Sequence, residues 1–135
     1  MKLLLDVNVL LDVSHRHHDY PQSQVLYRRI ITSPLHEGTF AACGYTTLYY
    51  FLHREIGARR ARATLLEWHR HLGLLPFTEP MAQAAHRLQM TDFEDACIAI
   101  TAYESQCEAI VTRNVQDFVA SPIPAHTPED LLAML

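Results

Sequence analysis

The sequence predicts an α/β domain with a central, mostly parallel sheet flanked by helices. Three observations lead there. Short apolar runs that suit buried strands, LLL at 3–5 and AIV at 109–111, alternate with segments of helical periodicity. The length of 135 residues and the 49% hydrophobic content suit one domain with a single core, expected to span residues 1–135. Gly57 and Gly73 fall where helical patterns stop, and no internal repeat or low-complexity tract interrupts the alternation.

Lys2 to Val7 is expected to be a strand, because so brief an apolar run suits a parallel sheet better than a helix. A helix begins from Asn8, a polar HRHHDY loop follows, and Pro21 to Ile31 forms a second helix with proline in its first turn. Phe40 to Cys43 reads as the second strand. Thr46 to Glu55 and Ala58 to His71 read as two helices, the first capped by Gly57 and the second stopped at Gly73. Leu74 to Phe77 is a short strand, and Glu79 to Leu88 a helix with Pro80 near its start. Phe93 to Gln106 carries apolar or small residues at 93, 96, 97, 99, 100 and 103, a helical stripe. Ala109 to Val111 is another buried strand, and Ile123 to His126 an edge strand marked by Pro122 and Pro124. Thr127, Pro128 and Asp130 resemble a capping box that opens a terminal helix.

Composition narrows the function classes. Apolar runs of a few residues are far short of the roughly 20 that span a bilayer, and Asp6 and Asp12 interrupt any signal-peptide pattern, so an intracellular, cytoplasmic protein is expected. Cys43, Cys97 and Cys107 are odd in number and lack CxxC spacing, which suits core residues rather than disulfides or a zinc site. A net charge of −4 argues against a surface that embraces nucleic acid throughout. Residues 53–71 are the exception, with five arginines against two glutamates. That segment suits a solvated helix face, contact with a nucleic-acid backbone, or a docking partner. The histidines of HRHHDY lack a fixed scaffold for a transition metal, and Tyr45, Tyr49, Tyr50 and Phe51 suit core or interface packing better than base stacking.

The acidic residues carry the chemistry. Asp6 closes the first strand, Asp117 follows the strand AIVT, and Asp95 lies in the first turn of the helix from Phe93. In an open parallel sheet, ligands gather at the carboxyl ends of the strands, where these three positions converge. Gathered carboxylates repel, and a cluster kept ionised calls for a cation; oxygen donors select Mg²⁺ or Mn²⁺, which accept phosphate oxygens as further ligands. Capping is the alternative for TDFED, since acids in a first helical turn gain about 0.3–1 kcal/mol each. Thr91 with Glu94, or Asp92 with Asp95, suits a capping pair. Asp6 has no evident dipole motive beside an apolar strand, although it also suits a turn, and Asp117 also suits a plain loop.

On these residues the sequence resembles a PIN domain, the nuclease fold that includes VapC-type toxins of toxin–antitoxin pairs. The likeness is carried in order by LLLDVNVLLD, DFEDACIAITA, AIVTRNVQDF and SPIPAHTPEDLL. It implies an endoribonuclease that uses Mg²⁺ or Mn²⁺, with Asp6, Asp95 and Asp117 as catalytic and metal-binding acids and Asp92 as a further metal candidate. It also implies supporting polar roles for Asn8, Thr112, Asn114 and Thr47, and contact of Arg54, Arg59, Arg60 and Arg113 with RNA. The partners so implied are an RNA substrate, a small antitoxin and a second copy of the chain in a homodimer.

Two positions depart from the family pattern. Asn114 stands directly after Thr-Arg, where the family often has Asp, which leaves that charge to Asp117. The usual Glu early in the helix after the second strand is missing from GYTTLYYFLHRE: Thr46 or Thr47 occupies its place, and Asp92 or Glu94 is left to compensate from the opposite side. A PIN-like module that binds RNA or protein without cleavage is therefore the alternative reading. A receiver-type phosphotransfer domain is a weaker one, because Lys2 is the only lysine.

Overall fold

Leu3, Leu4 and Leu5 are at most 2% exposed, and that burial on both faces defines the first strand as the centre of a sheet. A computed structural model describes residues 1–15 and 20–135. Of the HRHHDY segment at 15–20, residues 16–19 lie outside the described residues. The elements run β1 (Lys2–Leu5), α1 (Val7–His15), α2 (Pro21–Thr32), β2 (Glu37–Ala41), α3 (Tyr45–His71), β3 (Gly73–Leu75), α4 (Glu79–Ala85), α5 (Phe93–Glu104), β4 (Ala109–Val111), β5 (Ala125–His126) and α6 (Pro128–Met134). Short 3-10 turns occupy Ala42–Gly44 and Val115–Phe118.

All five strands pair in parallel in the order β3-β2-β1-β4-β5. The chain thus builds outward from β1 to one side through β2 and β3, then returns to the other side for β4 and β5. The reversal falls between β1 and β4, where Leu5 pairs with Val111. Side chains alternate across the sheet. Leu3, Leu5, Ala109 and Val111 pack with residues of α1, α2, α3 and α6, whereas Leu4, Ala41, Leu75 and Ile110 pack against Ile98, Ala99 and Ala102 of α5.

Helix α5 is buried from Ala96 through Ala102 because it lies between two partners. One side meets the sheet, and the other meets Met81 and Ala85 of α4 through Ala96, Cys97 and Ile100. The helix has no wide solvent face, so its charged residues are confined to its ends.

Local chemistry moves several boundaries from those expected. β1 ends at Leu5 because the Asp6 carbonyl accepts the first bonds of α1, from Val9 N–H at 3.1 Å and Leu10 N–H at 3.2 Å. β2 starts at Glu37 rather than Phe40, and Gly38 belongs to it: a Cβ there would come 2.6 Å from Leu72 Cδ2 and 2.8 Å from Ile30 Cγ2. β3 stops at Leu75 and α4 at Ala85, both shorter than expected. α6 opens as its capping pattern predicts, with Asp130 N–H donating to Thr127 Oγ1 at 3.1 Å.

The two helices expected across 46–71 form as the two halves of α3, which meet at Gly57, whose φ of 83° and ψ of 166° break the helical path. That backbone region is nearly closed to residues with a Cβ. Leu48 and Leu52 before the bend and Ala61, Leu65 and Trp68 after it are all buried, so the bend lets both halves follow one core. Gly57→Ala is expected to destabilise the fold by about 1–3 kcal/mol, read as a lower midpoint in thermal or urea unfolding. An unchanged midpoint would show that the bend tolerates a side chain.

Candidate active site

Strand alternation aims Asp6 and Thr112 at the same face of the sheet. Asp6 stands two residues beyond Leu4, and Thr112 two beyond Ile110, so both share the α5 side. The ladder continues into both: Asp6 N–H donates to the Val111 carbonyl at 2.9 Å, and Thr112 N–H to the His126 carbonyl at 3.0 Å. They meet at the reversal of strand order, the crevice in which open parallel sheets place ligands.

Asp6 is 5% exposed, and its carboxylate is fixed at both oxygens. Oδ1 accepts from Val7 N–H at 2.8 Å; Oδ2 accepts from Thr112 Oγ1 at 2.8 Å and from Asn8 Nδ2 at 3.3 Å. The Thr112 hydroxyl also accepts from Asn8 Nδ2 at 3.2 Å and from Asn114 N–H at 3.1 Å. Asn8 Oδ1 in turn accepts from Arg113 N–H at 3.2 Å. Asn8 and Thr112 thus hold Asp6 as supporting polar residues, while Asn114 joins through its backbone N–H and leaves its side chain exposed. One expectation is corrected: because α1 begins at Val7, Asp6 lies at a helix N-terminus and does have a dipole motive.

The acids of DFED divide their work. Asp92 caps α5, its Oδ1 accepting from Asp95 N–H at 3.1 Å. Of the two capping pairs in TDFED, the structure forms Asp92 with Asp95. Asp95 is half-buried, and Glu94 accepts from Thr47 Oγ1 at 3.4 Å, a contact between the first turns of α5 and α3. Asp117 is exposed in the 3-10 turn after β4, and with Asp92 it lines an open depression of about 410 Å³ beside Thr91 and Gln116. The oxygens of Asp6, Asp95, Glu94, Asp92 and Asp117 are therefore the donors available to a cation at this sheet edge. As the side chains stand, no three Asp, Glu, His or Cys among the described residues are close enough to share one ion.

The arginines lie elsewhere. Arg113 Nε is 2.9 Å from Oδ2 of Asp12, which is 1% exposed, and its guanidinium lies 4.0 Å from the Tyr20 ring centroid. The Nε–H does not point along the contact, so the pair is an ion pair rather than an aligned hydrogen bond. Ser23 Oγ donates to the same Oδ2 at 2.8 Å. The residue expected to touch RNA thus anchors the segment after β4 to α1. Sequence reasoning missed Asp12, although an acid inside the apolar run VLLDV signals a buried partner. Arg54, Arg59 and Arg60 are exposed on α3, with Arg54 over the Tyr50 ring, and no ion pair among the described residues ties them to the acids.

Burial raises the Asp6 pKa from 3.8 to about 6; the bonds from Thr112 and Val7 oppose the shift, and the charges of Glu94 and Asp92 add to it. Asp95 rises from 3.8 to about 7, first by burial and then by the charges of Asp6, Asp92, Asp117 and Glu94. Asp95 therefore lies in the field of the other four acids, and Asp6 in that of Glu94 and Asp92. A carboxyl with a raised folded pKa binds more protons folded than unfolded between the two values, so stability falls as pH rises through that window. In chelator, thermal stability is expected to decline between about pH 4 and about pH 7, and Asp95→Asn to flatten the upper part of the decline. Unfolding midpoints measured across that range test this; a steady rise would contradict the crowding of charge.

The family model described as PIN domain matches residues 2–116. A comparison with curated proteins returns no match. Among solved structures, the chain is similar to VapBC2 from Rickettsia felis bound to a promoter DNA fragment, at 16% identity and a TM-score of 0.70, covering 94% of this chain and 98% of that one. It is also similar to VapBC-1 from nontypeable Haemophilus influenzae, at 16% identity and a TM-score of 0.72, covering 96% and 99%. A third likeness is to VapC20 of Mycobacterium tuberculosis, a sarcin-ricin loop cleaving toxin, at 12% identity and a TM-score of 0.63, covering 80% and 86%. Identities this low speak for the fold alone, but a sequence match over most of the length, joined to five parallel strands with acids at their carboxyl ends, has one consequence: the chain belongs to the PIN domain family.

Proposed function

We propose that the chain is a Mg²⁺- or Mn²⁺-dependent endoribonuclease and the toxin of a type II toxin–antitoxin pair. The observation that carries this reading is the gathering of acids at the crossover between β1 and β4, where the charges of Asp6, Asp92, Asp117 and Glu94 all act on half-buried Asp95. Negative charge gathered in a half-buried crevice is unfavourable without a cation, and all-oxygen donors fit a hard divalent ion. The donor set therefore fits the group.

A bound ion would supply a water acidic enough to attack near neutral pH and the charge that polarises a phosphodiester. Asp6 and Asp95 would hold it, with Asp117 and Asp92 contributing from the exposed rim. Thr112, Asn8 and Val7 N–H orient the Asp6 carboxylate, and Thr47 orients Glu94. The backbone N–H of Asn114 steadies the Thr112 hydroxyl. Hydrolysis would leave a 5′-phosphate and a 3′-hydroxyl. Arg54, Arg59 and Arg60 would meet the RNA backbone away from the acids, whereas Arg113 would act by fixing the loop that bears Asp117.

The VapBC pairs among the similar structures support a small antitoxin partner for this chain as well. A homodimer and a cytoplasmic location accord with that reading; among the described residues, no helix is long and apolar enough to cross a membrane. A module that binds RNA without cutting is the second reading. It is favoured by the absence, among the described residues, of three ligands already at shared-ion distance.

Cleavage of a labelled RNA in Mn²⁺ separates the two. The parent protein is expected to cut, and Asp6→Asn and Asp95→Asn each to lose about a hundredfold or more in rate. Equal cutting by parent and variants would contradict the nuclease reading, and binding without cutting by all three would support the second.

A further inference from the structure

Glu94 is the acid whose surroundings are least explained by folding. Its Oε2 accepts from Thr47 at 3.4 Å, but its Oε1 is buried without a hydrogen-bond partner. A buried carboxylate oxygen left unpaired is costly, and the cost is usually met by a cation or a donor. Gly44 lies beside it: a Cβ there would be in ordinary contact with Glu94 Oε1 at 3.5 Å and in tight contact with Val7 Cγ2 at 3.1 Å. Gly44 thus neighbours both the free oxygen and Val7, the residue whose N–H holds Asp6. Capping does not account for Glu94, because Asp92 already caps α5 and stands exposed at the rim.

We infer that Glu94 is a ligand of the cation site, with Oε1 as its donor and Thr47 as its positioning residue. The acid missing from α3 is thereby supplied by α5, reaching across to the hydroxyl that stands on α3. This assignment rests on the cation-site reading above. It also separates the two candidates for compensation: Glu94 takes the place of the missing acid, and Asp92, which caps the helix, contributes only from the rim.

Calorimetric titration of Mn²⁺ into the metal-free protein at neutral pH, with thermal unfolding of the same samples in chelator, tests the assignment. Glu94→Gln is expected to weaken Mn²⁺ binding about tenfold or more and to leave the metal-free melting temperature unchanged or raised, since a repelling charge is lost. Thr47→Val is expected to weaken Mn²⁺ binding in the same direction but less, and it carries the test should Glu94→Gln not fold. Asp95→Asn is the control for the underlying reading. Loss of Mn²⁺ affinity in Asp95→Asn with parental affinity in Glu94→Gln and Thr47→Val would overturn the Glu94 assignment alone. Parental affinity in Asp95→Asn as well would overturn the cation site itself. A lower metal-free melting temperature in Glu94→Gln with unchanged Mn²⁺ affinity would make Glu94 a structural residue.

Discussion

Asp6 follows three leucines withdrawn from water, and its own carboxylate is 5% exposed, held by Val7 N–H and the Thr112 hydroxyl at 2.8 Å each. That one desolvated carboxylate ties the fold to the site. Its backbone extends the pairing of β1 with β4, its carbonyl starts α1, and its side chain collects Asn8 and Thr112. The hydrogen bonds offset only part of the burial, so its pKa stays near 6 and the carboxylate retains unused capacity for positive charge.

Helix α5 brings the remaining charge to bear. Being buried from Ala96 to Ala102, it can carry acids only at an end, and the packing of that end against the sheet sets Glu94 and Asp95 in the field of Asp6. The same packing that stabilises the core therefore fixes the position of groups that destabilise it. Strongly shifted carboxyls in a crevice are a common signature of functional sites, where stability is given up for chemistry. The ion pair of Arg113 with buried Asp12 completes the frame by fastening the segment after β4, on the other flank of Asp6, to α1.

Much of this was legible in the sequence because it depends on local pattern. The apolar runs of β1 and β4, the stripe of α5 and the Thr127 cap all formed where spacing placed them. Of the convergence expected of Asp6, Asp95 and Asp117, the charges of Asp6 and Asp117 do act on Asp95, but no three acids among the described residues stand at shared-ion distance. The features that were not legible depend on which surfaces meet in space. Gly38 lies ahead of the strand expected from Phe40, and only its crowding by Leu72 and Ile30 shows why a strand residue there lacks a side chain. Arg113 reads as a free cation until Asp12, about a hundred residues earlier in the sequence, is found beneath it. Glu94 and Thr47 are 47 positions apart, and only the approach of α5 to α3 turns the missing acid of one helix into a task for the other.

The proposed divalent cation would be held by Asp6 and Asp95 beyond the carboxyl ends of β1 and β4. Anomalous diffraction from crystals of the protein soaked in Mn²⁺ measures this directly. An anomalous peak within coordination distance of carboxylate oxygens of both Asp6 and Asp95 is expected; a peak bound only elsewhere, or none at saturating Mn²⁺, would rule the cation site out.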